Sequence, residues 1–273
     1  MIRFRFSIIL IFSCLLSLRG NDQGYEIKIK INGLADKQVI LGHYLSKSMY
    51  PDDTIKLDSK GYGVFKNSRK LPAGMYVMFI RSDRYFDVII GDDQTFTLET
   101  DTVDFVSTMH VKGSPDNEIF LDFQKYMVAL RNKNDSLMPL IRKENNPKIK
   151  EQLTVKIKQL GDERKNKILT IQKLNPDLFV STFLMTTLDV EVPDPPKDEK
   201  GHVIDSTWQY YYYRSHYFDN FDLSDPRLLR TPLYEDKLMT YINKVVPQIP
   251  DSLILHSDFL IEKARHDSDT YRF

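Results

Sequence analysis

From Tyr25 to Lys112 the apolar residues of this chain follow a strand-like pattern with a period of two, and from Pro115 onward they recur at every third or fourth position. This switch at Gly113 limits the fold more than any other feature. A period of two belongs to strands with one buried face, and a period near 3.6 to amphipathic helices. Tyr25, Ile27, Ile29 and Ile31 alternate with Glu26, Lys28, Lys30 and Asn32. Further strand-like runs cover 39–45, 54–57, 62–65, 75–81, 85–90, 95–99 and 109–112. Asp58-Ser59-Lys60-Gly61 reads as a hairpin turn closed by a glycine at positive φ, and Asp83-Arg84 as another turn. Seven or eight short strands with no helix among them predict an antiparallel β-sandwich over 24–112.

Beyond Gly113, Ser114 is placed to cap a helix that begins at Pro115 and carries Ile119, Phe120, Phe123, Met127 and Leu130 on one stripe. Pro139 should end or kink it. A second, highly charged helix from Pro147 carries Leu153, Ile157, Leu160, Ile168, Ile171 and Leu174, which predicts a long antiparallel helical pair. Asn175-Pro176 opens another helix, and the proline-rich, charged stretch 192–205 is a loop. Ser206 and Gln209 form a capping box for a helix over 208–218. Thr231-Pro232 and Pro250-Asp251 start the last two. The expected class is α+β, a sandwich followed by an all-α helical domain over 113–273.

Residues 1–20 have the layout of a signal peptide: Arg3 and Arg5, an apolar run over 7–18, then Gly20. The run is short for a membrane span, so the expected location is the periplasm or outer cell envelope. Cys14 is the only cysteine. It is either discarded with the leader or lipidated as an anchor. The whole chain carries 38 basic and 38 acidic residues. Without Arg3, Arg5 and Arg19 the balance is 35 to 38, which provides no overall field for nucleic acid, and membrane attachment is expected only through a lipid.

No nucleotide-binding glycine loop, serine-nucleophile elbow, Cys-x-x-Cys or His-Glu-x-x-His is present, so no catalytic residue, cofactor or metal site is assigned. His216 precedes Asp219, Asp222 and Asp225, a set that could hold a metal but whose three-residue spacing suits turn capping better. The lysine-rich stretch 143–173 is interrupted by Glu144, Glu151, Asp162 and Glu163 and reads as a solvated helix face. The strongest local anomaly is Trp208-Gln209-Tyr210-Tyr211-Tyr212-Tyr213-Arg214-Ser215-His216-Tyr217-Phe218. Tyr210, Tyr213 and Tyr217 share one helical face and are expected in the core. Trp208, Tyr211, Tyr212 and His216 are the candidate ligand or partner contacts, with packing between layers as the competing reading.

Gly24-Tyr25-Glu26-Ile27-Lys28-Ile29, Leu41-Gly42-His43-Tyr44, Asp53-Thr54, Gly61 and Gly74-Met75-Tyr76 together resemble a β-rich domain of unknown function at the N-terminus of exported Bacteroidetes proteins. Asn175-Pro176-Asp177, Val192-Pro193, His216-Tyr217-Phe218-Asp219-Asn220, Thr231-Pro232-Leu233-Tyr234 and Pro250-Asp251-Ser252 resemble the helical domain that follows it. In that family both precede a thioredoxin-fold domain of the TlpA/ResA or alkyl-hydroperoxide-reductase type. This chain ends at Tyr271-Arg272-Phe273, where such proteins continue, so no redox cysteine carries over. The resemblance implies a non-catalytic accessory module that docks, positions or dimerises, with a protein or thioredoxin-fold partner. Two other readings stand beside it: a shortened form of the complete oxidoreductase, and a free-standing glycan- or peptide-binding protein that uses the tyrosines.

Overall fold

The computed structural model describes residues 24–81 and 84–273; the leader with Cys14, and Ser82 and Asp83, lie outside the described residues. Eight strands form two four-stranded sheets: β1 (Tyr25–Asn32), β2 (Gln38–Leu45), β3 (Ser48–Lys56), β4 (Tyr62–Asn67), β5 (Gly74–Arg81), β6 (Arg84–Ile90), β7 (Thr95–Asp101) and β8 (His110–Lys112). The first sheet has the order β4-β1-β7-β8 and the second β3-β2-β5-β6. Ile27, Ile29 and Ile31 of β1 face Val39, Leu41, Tyr76 and Met78 across a closed core, as the alternation requires. Helices follow, so the α+β class holds.

Three details of the strands differ from the sequence reading. β1 pairs with β7 in parallel, while every other strand pair is antiparallel. The turn at Asp58–Gly61 forms, with Asp58 Oδ1 accepting the Lys60 and Tyr62 N–H groups and Gly61 at φ +77. It joins β3 to β4 in opposite sheets, so it is a corner and not a hairpin. β3 also starts at Ser48 rather than near residue 54. Its first half contains Pro51 and exposed side chains, which a sheet edge tolerates and an alternation search misses.

The helices are α1 (Pro115–Lys143), α2 (Pro147–Leu174), α3 (Phe179–Thr186), α4 (Trp208–His216), α5 (Pro226–Leu229), α6 (Leu233–Thr240), α7 (Pro250–Ala264) and α8 (Ser268–Arg272), with a π turn over Tyr241–Val245 after α6. α1 continues through Pro139, whose ring is exposed, so the carbonyl it frees can be hydrated. The capping box at Ser206 does not form; Asp205 Oδ1 instead accepts the Thr207 N–H and hydroxyl at 2.8 and 2.7 Å.

The helices cover the outer face of the second sheet. Met75 and Ile89 point away from the sandwich core and join Phe120, Phe123, Phe179 and Leu228 in a second core. The seam between the two cores is polar and buried. Asn117 Oδ1 accepts the Ile89 N–H at 2.8 Å, and Asn117 Nδ2 donates to the Ile89 carbonyl at 2.6 Å, so one side chain continues the ladder of edge strand β6. Asp116 Oδ1 accepts the Val180 N–H at 2.7 Å and so supplies the N-terminal cap of α3 from 64 residues upstream. Burial raises the Asp116 pKa, and this hydrogen bond pulls it back. Gly91 must be a glycine here, since a Cβ would lie 2.1 Å from Asp116 Oδ2.

Limited proteolysis should nick first within 192–205, whose only regular pairing is the isolated Lys197↔Val203 bridge. The two fragments should then stay associated on gel filtration, because α3 and α5 share the second core. Their separation under native conditions would overturn the packing of the helices on the second sheet.

Candidate functional site

α4 is packed most closely at its C-terminal end. Tyr217, just past its last turn, is 4% exposed and packs on Phe218, Tyr241 and Tyr213 at ring-centroid distances of 4.9, 5.2 and 5.6 Å. The Lys237 ammonium sits 4.3 Å over its ring. Burial pushes the Tyr217 pKa up to about 12 and lowers that of Lys237. The first turn of α4 is held by hydrogen bonds, Gln209 Nε2 donating to the Pro193 carbonyl at 3.4 Å, and no residue within the helix is buried. Tyr210, expected in the core, is 40% exposed, and its hydroxyl donates to the Val245 carbonyl at 2.8 Å.

Between α4 and α7 runs an open groove of about 650 Å³. Trp208, Tyr211 and Tyr212 line the α4 side, Leu255 and Phe259 the α7 side, and the buried Tyr241 the base. Trp208 stacks on Tyr212 at 5.1 Å, and Tyr212 on His216 at 3.9 Å, so three rings spaced one turn apart form a ladder along the helix. Of the four candidate contacts, Trp208, Tyr211 and Tyr212 thus enter one groove. His216 backs the ladder, with its Nδ1 2.8 Å from the Tyr212 carbonyl oxygen.

The polar groups of the groove are few. Arg214 lies 5.0 Å over the Tyr211 ring, and no carboxylate lines the walls. Tyr241 Oη and His256 Nδ1 are 2.8 Å apart. Burial, and then the Arg214 charge, hold the His256 pKa below the usual imidazole range, while burial raises that of Tyr241. This phenol–imidazole hydrogen bond orders the base of the groove. The walls offer apolar area and one guanidinium, the equipment of a binding surface.

α7 was missed as part of this site. None of its residues is buried, although Leu253, Ile254, Leu255, Phe259, Leu260 and Ile261 are all apolar. Ile254 is 62% and Leu255 66% exposed. The signal was legible: these side chains fall on more than one helical face, and a helix apolar on several faces calls for cover on several sides.

Residues 25–120 match the family model for a domain of unknown function, DUF4369. No curated protein and no solved structure matches the chain. The DUF4369 segment opens with β1 and closes inside α1, so it includes the whole sandwich and the Asp116–Asn117 seam. The groove lies entirely outside it.

The aspartates after His216 occupy turns and caps: Asp222 Oδ1 accepts the Ser224 N–H, and Asp225 caps α5 while pairing with Arg227 at 2.7 Å. Among the described residues no group of three or more His, Cys, Asp or Glu is placed to hold a metal ion, and no helix is long and apolar enough to cross a membrane.

Proposed function

We propose that this chain is an exported, non-catalytic docking module whose working surface is the α4–α7 groove with the adjoining face of α7. The observation that carries the reading is the set of apolar side chains on α7 that the chain itself leaves unburied. Covering Ile254, Leu255 and Phe259 would supply the aliphatic and aromatic centre typical of a protein interface, and the Trp208–Tyr212 stack extends it. Aliphatic side chains favour a protein surface over a sugar, which would be met by rings and hydrogen-bonding groups alone. The family resemblance adds the kind of partner, a thioredoxin-fold domain that the module positions.

The test is calorimetric titration of the protein with a separately expressed thioredoxin-fold domain of the TlpA/ResA type. Saturable binding is expected, weakened about thirty-fold by Ile254→Glu/Leu255→Glu, since an interface hot spot carries ~2 kcal/mol. Thermal stability of the variant should stay within about 0.5 kcal/mol of the parent because both sites are exposed. No heat of binding, or equal binding by the variant, would sink the proposal.

A further inference from the structure

A second surface lies at the other end of the helical region. On α1 the last buried side chain is Leu130, and on α2 the first is Ile168. The distal part of the hairpin, 131–167, therefore buries nothing fully and forms an arm. Its sequence holds eleven lysines and arginines against five acids, a net charge of +6 within a chain whose total is zero. The neutral total thus conceals a basic arm on an acidic remainder. Thirteen residues of α1 beyond Leu130 carry the tip roughly 20 Å outward at 1.5 Å per residue. That is more than the Debye length of about 8 Å at physiological salt, so the acidic remainder does not cancel the field at the tip.

Arg142, Lys143, Lys148 and Lys150 cluster at the tip with two acids, Glu144 and Glu151, and among the described residues none of the four makes a salt bridge. Leu140 and Ile149 stand among them, 54% and 43% exposed, in the last turn of α1 and the first of α2. A solvated helix face has no use for exposed aliphatic groups inside a predominantly basic cluster. A lipid surface uses both: anionic headgroups draw the cations, and the apolar side chains enter the headgroup boundary.

We propose that the tip of the α1–α2 arm docks on an anionic lipid surface. The inference is independent of the α4–α7 groove. The chemistry fits a bilayer better than a nucleic acid, because the tip has no aromatic side chain to stack on bases, and Leu140 and Ile149 would find no partner on a phosphate backbone.

The test is co-sedimentation of the purified protein with vesicles of phosphatidylcholine alone and with about a third phosphatidylglycerol. Binding is expected only to the anionic vesicles and should fade at high salt. Each of Arg142→Gln, Lys143→Gln, Lys148→Gln and Lys150→Gln should weaken it about five-fold, the equivalent of ~1 kcal/mol per charge. Leu140→Ser/Ile149→Ser should weaken it at unchanged charge, with an unaltered melting temperature in every variant. Equal binding to both vesicle types would be the behaviour of an acyl anchor and would overturn the proposal. So would retention by the four-fold Gln variant, or a serine pair that binds like the parent while an oligonucleotide competes away the vesicles.

Discussion

Asn117→Ala should cost about 3–5 kcal/mol of stability, the largest loss expected from a side chain of this size in the chain. The substitution strands both the N–H and the carbonyl of Ile89, which are buried and otherwise unserved on the outer edge of β6. A buried backbone group left without a partner costs roughly 1–3 kcal/mol, and two are involved. It also removes a 2.8 Å hydrogen bond to Ser114 Oγ, which caps the same helix. Chemical denaturation of the variant beside Asp116→Ala measures the seam in two places. Asp116→Ala deprives only the Val180 N–H and should lose about half as much, offset in part because it also removes a buried charge. A loss below ~1 kcal/mol at Asn117 would mean that Ile89 finds other partners and that the helices are held to the sheet by apolar contact alone.

Tyr217→Ala should lose about 3–5 kcal/mol, as large-to-small core changes do, whereas Tyr211→Ala should stay within about 0.5 kcal/mol. Both belong to one run of aromatics, but Tyr217 packs against three rings at the anchored end of α4, while Tyr211 is 50% exposed at the groove. Thermal melts of the two variants side by side decide the point. Equal large losses would turn the groove wall into packing, and equal small ones would detach α4 from the third core of Tyr217, Tyr241, Val245 and Val246.

What the sequence revealed and what it hid divide along one physical line. Patterns set by a single element were legible: the alternation of β1, the Ser114 cap, the proline starts of α1, α2 and α7, and the exposed proline-rich stretch at 192–205. Features set by a distant partner were not. α3 begins at Phe179 rather than at Pro176 because its cap comes from Asp116, and no local residue announces it. Tyr210 shares a helical face with Tyr217 yet is 40% exposed, because periodicity carries no information on how closely neighbours pack along the length of a helix. Charge balance failed in the same way: a sum over the chain erased the separation of signs that the hairpin creates.

The parallel pairing of β1 with β7 has a consequence for how the chain reaches this state. β1 can meet β4 once residues 62–67 exist, but its other edge waits for Thr95–Asp101, about seventy residues downstream in register. Until then Ile27, Ile29 and Ile31 belong to a strand with one open, apolar flank, the kind of edge on which chains add to one another. The vulnerable interval in the life of this protein is therefore the passage between its fourth strand and its seventh, and a helper that shields β1 over that stretch would matter more to its yield than any change in the finished fold.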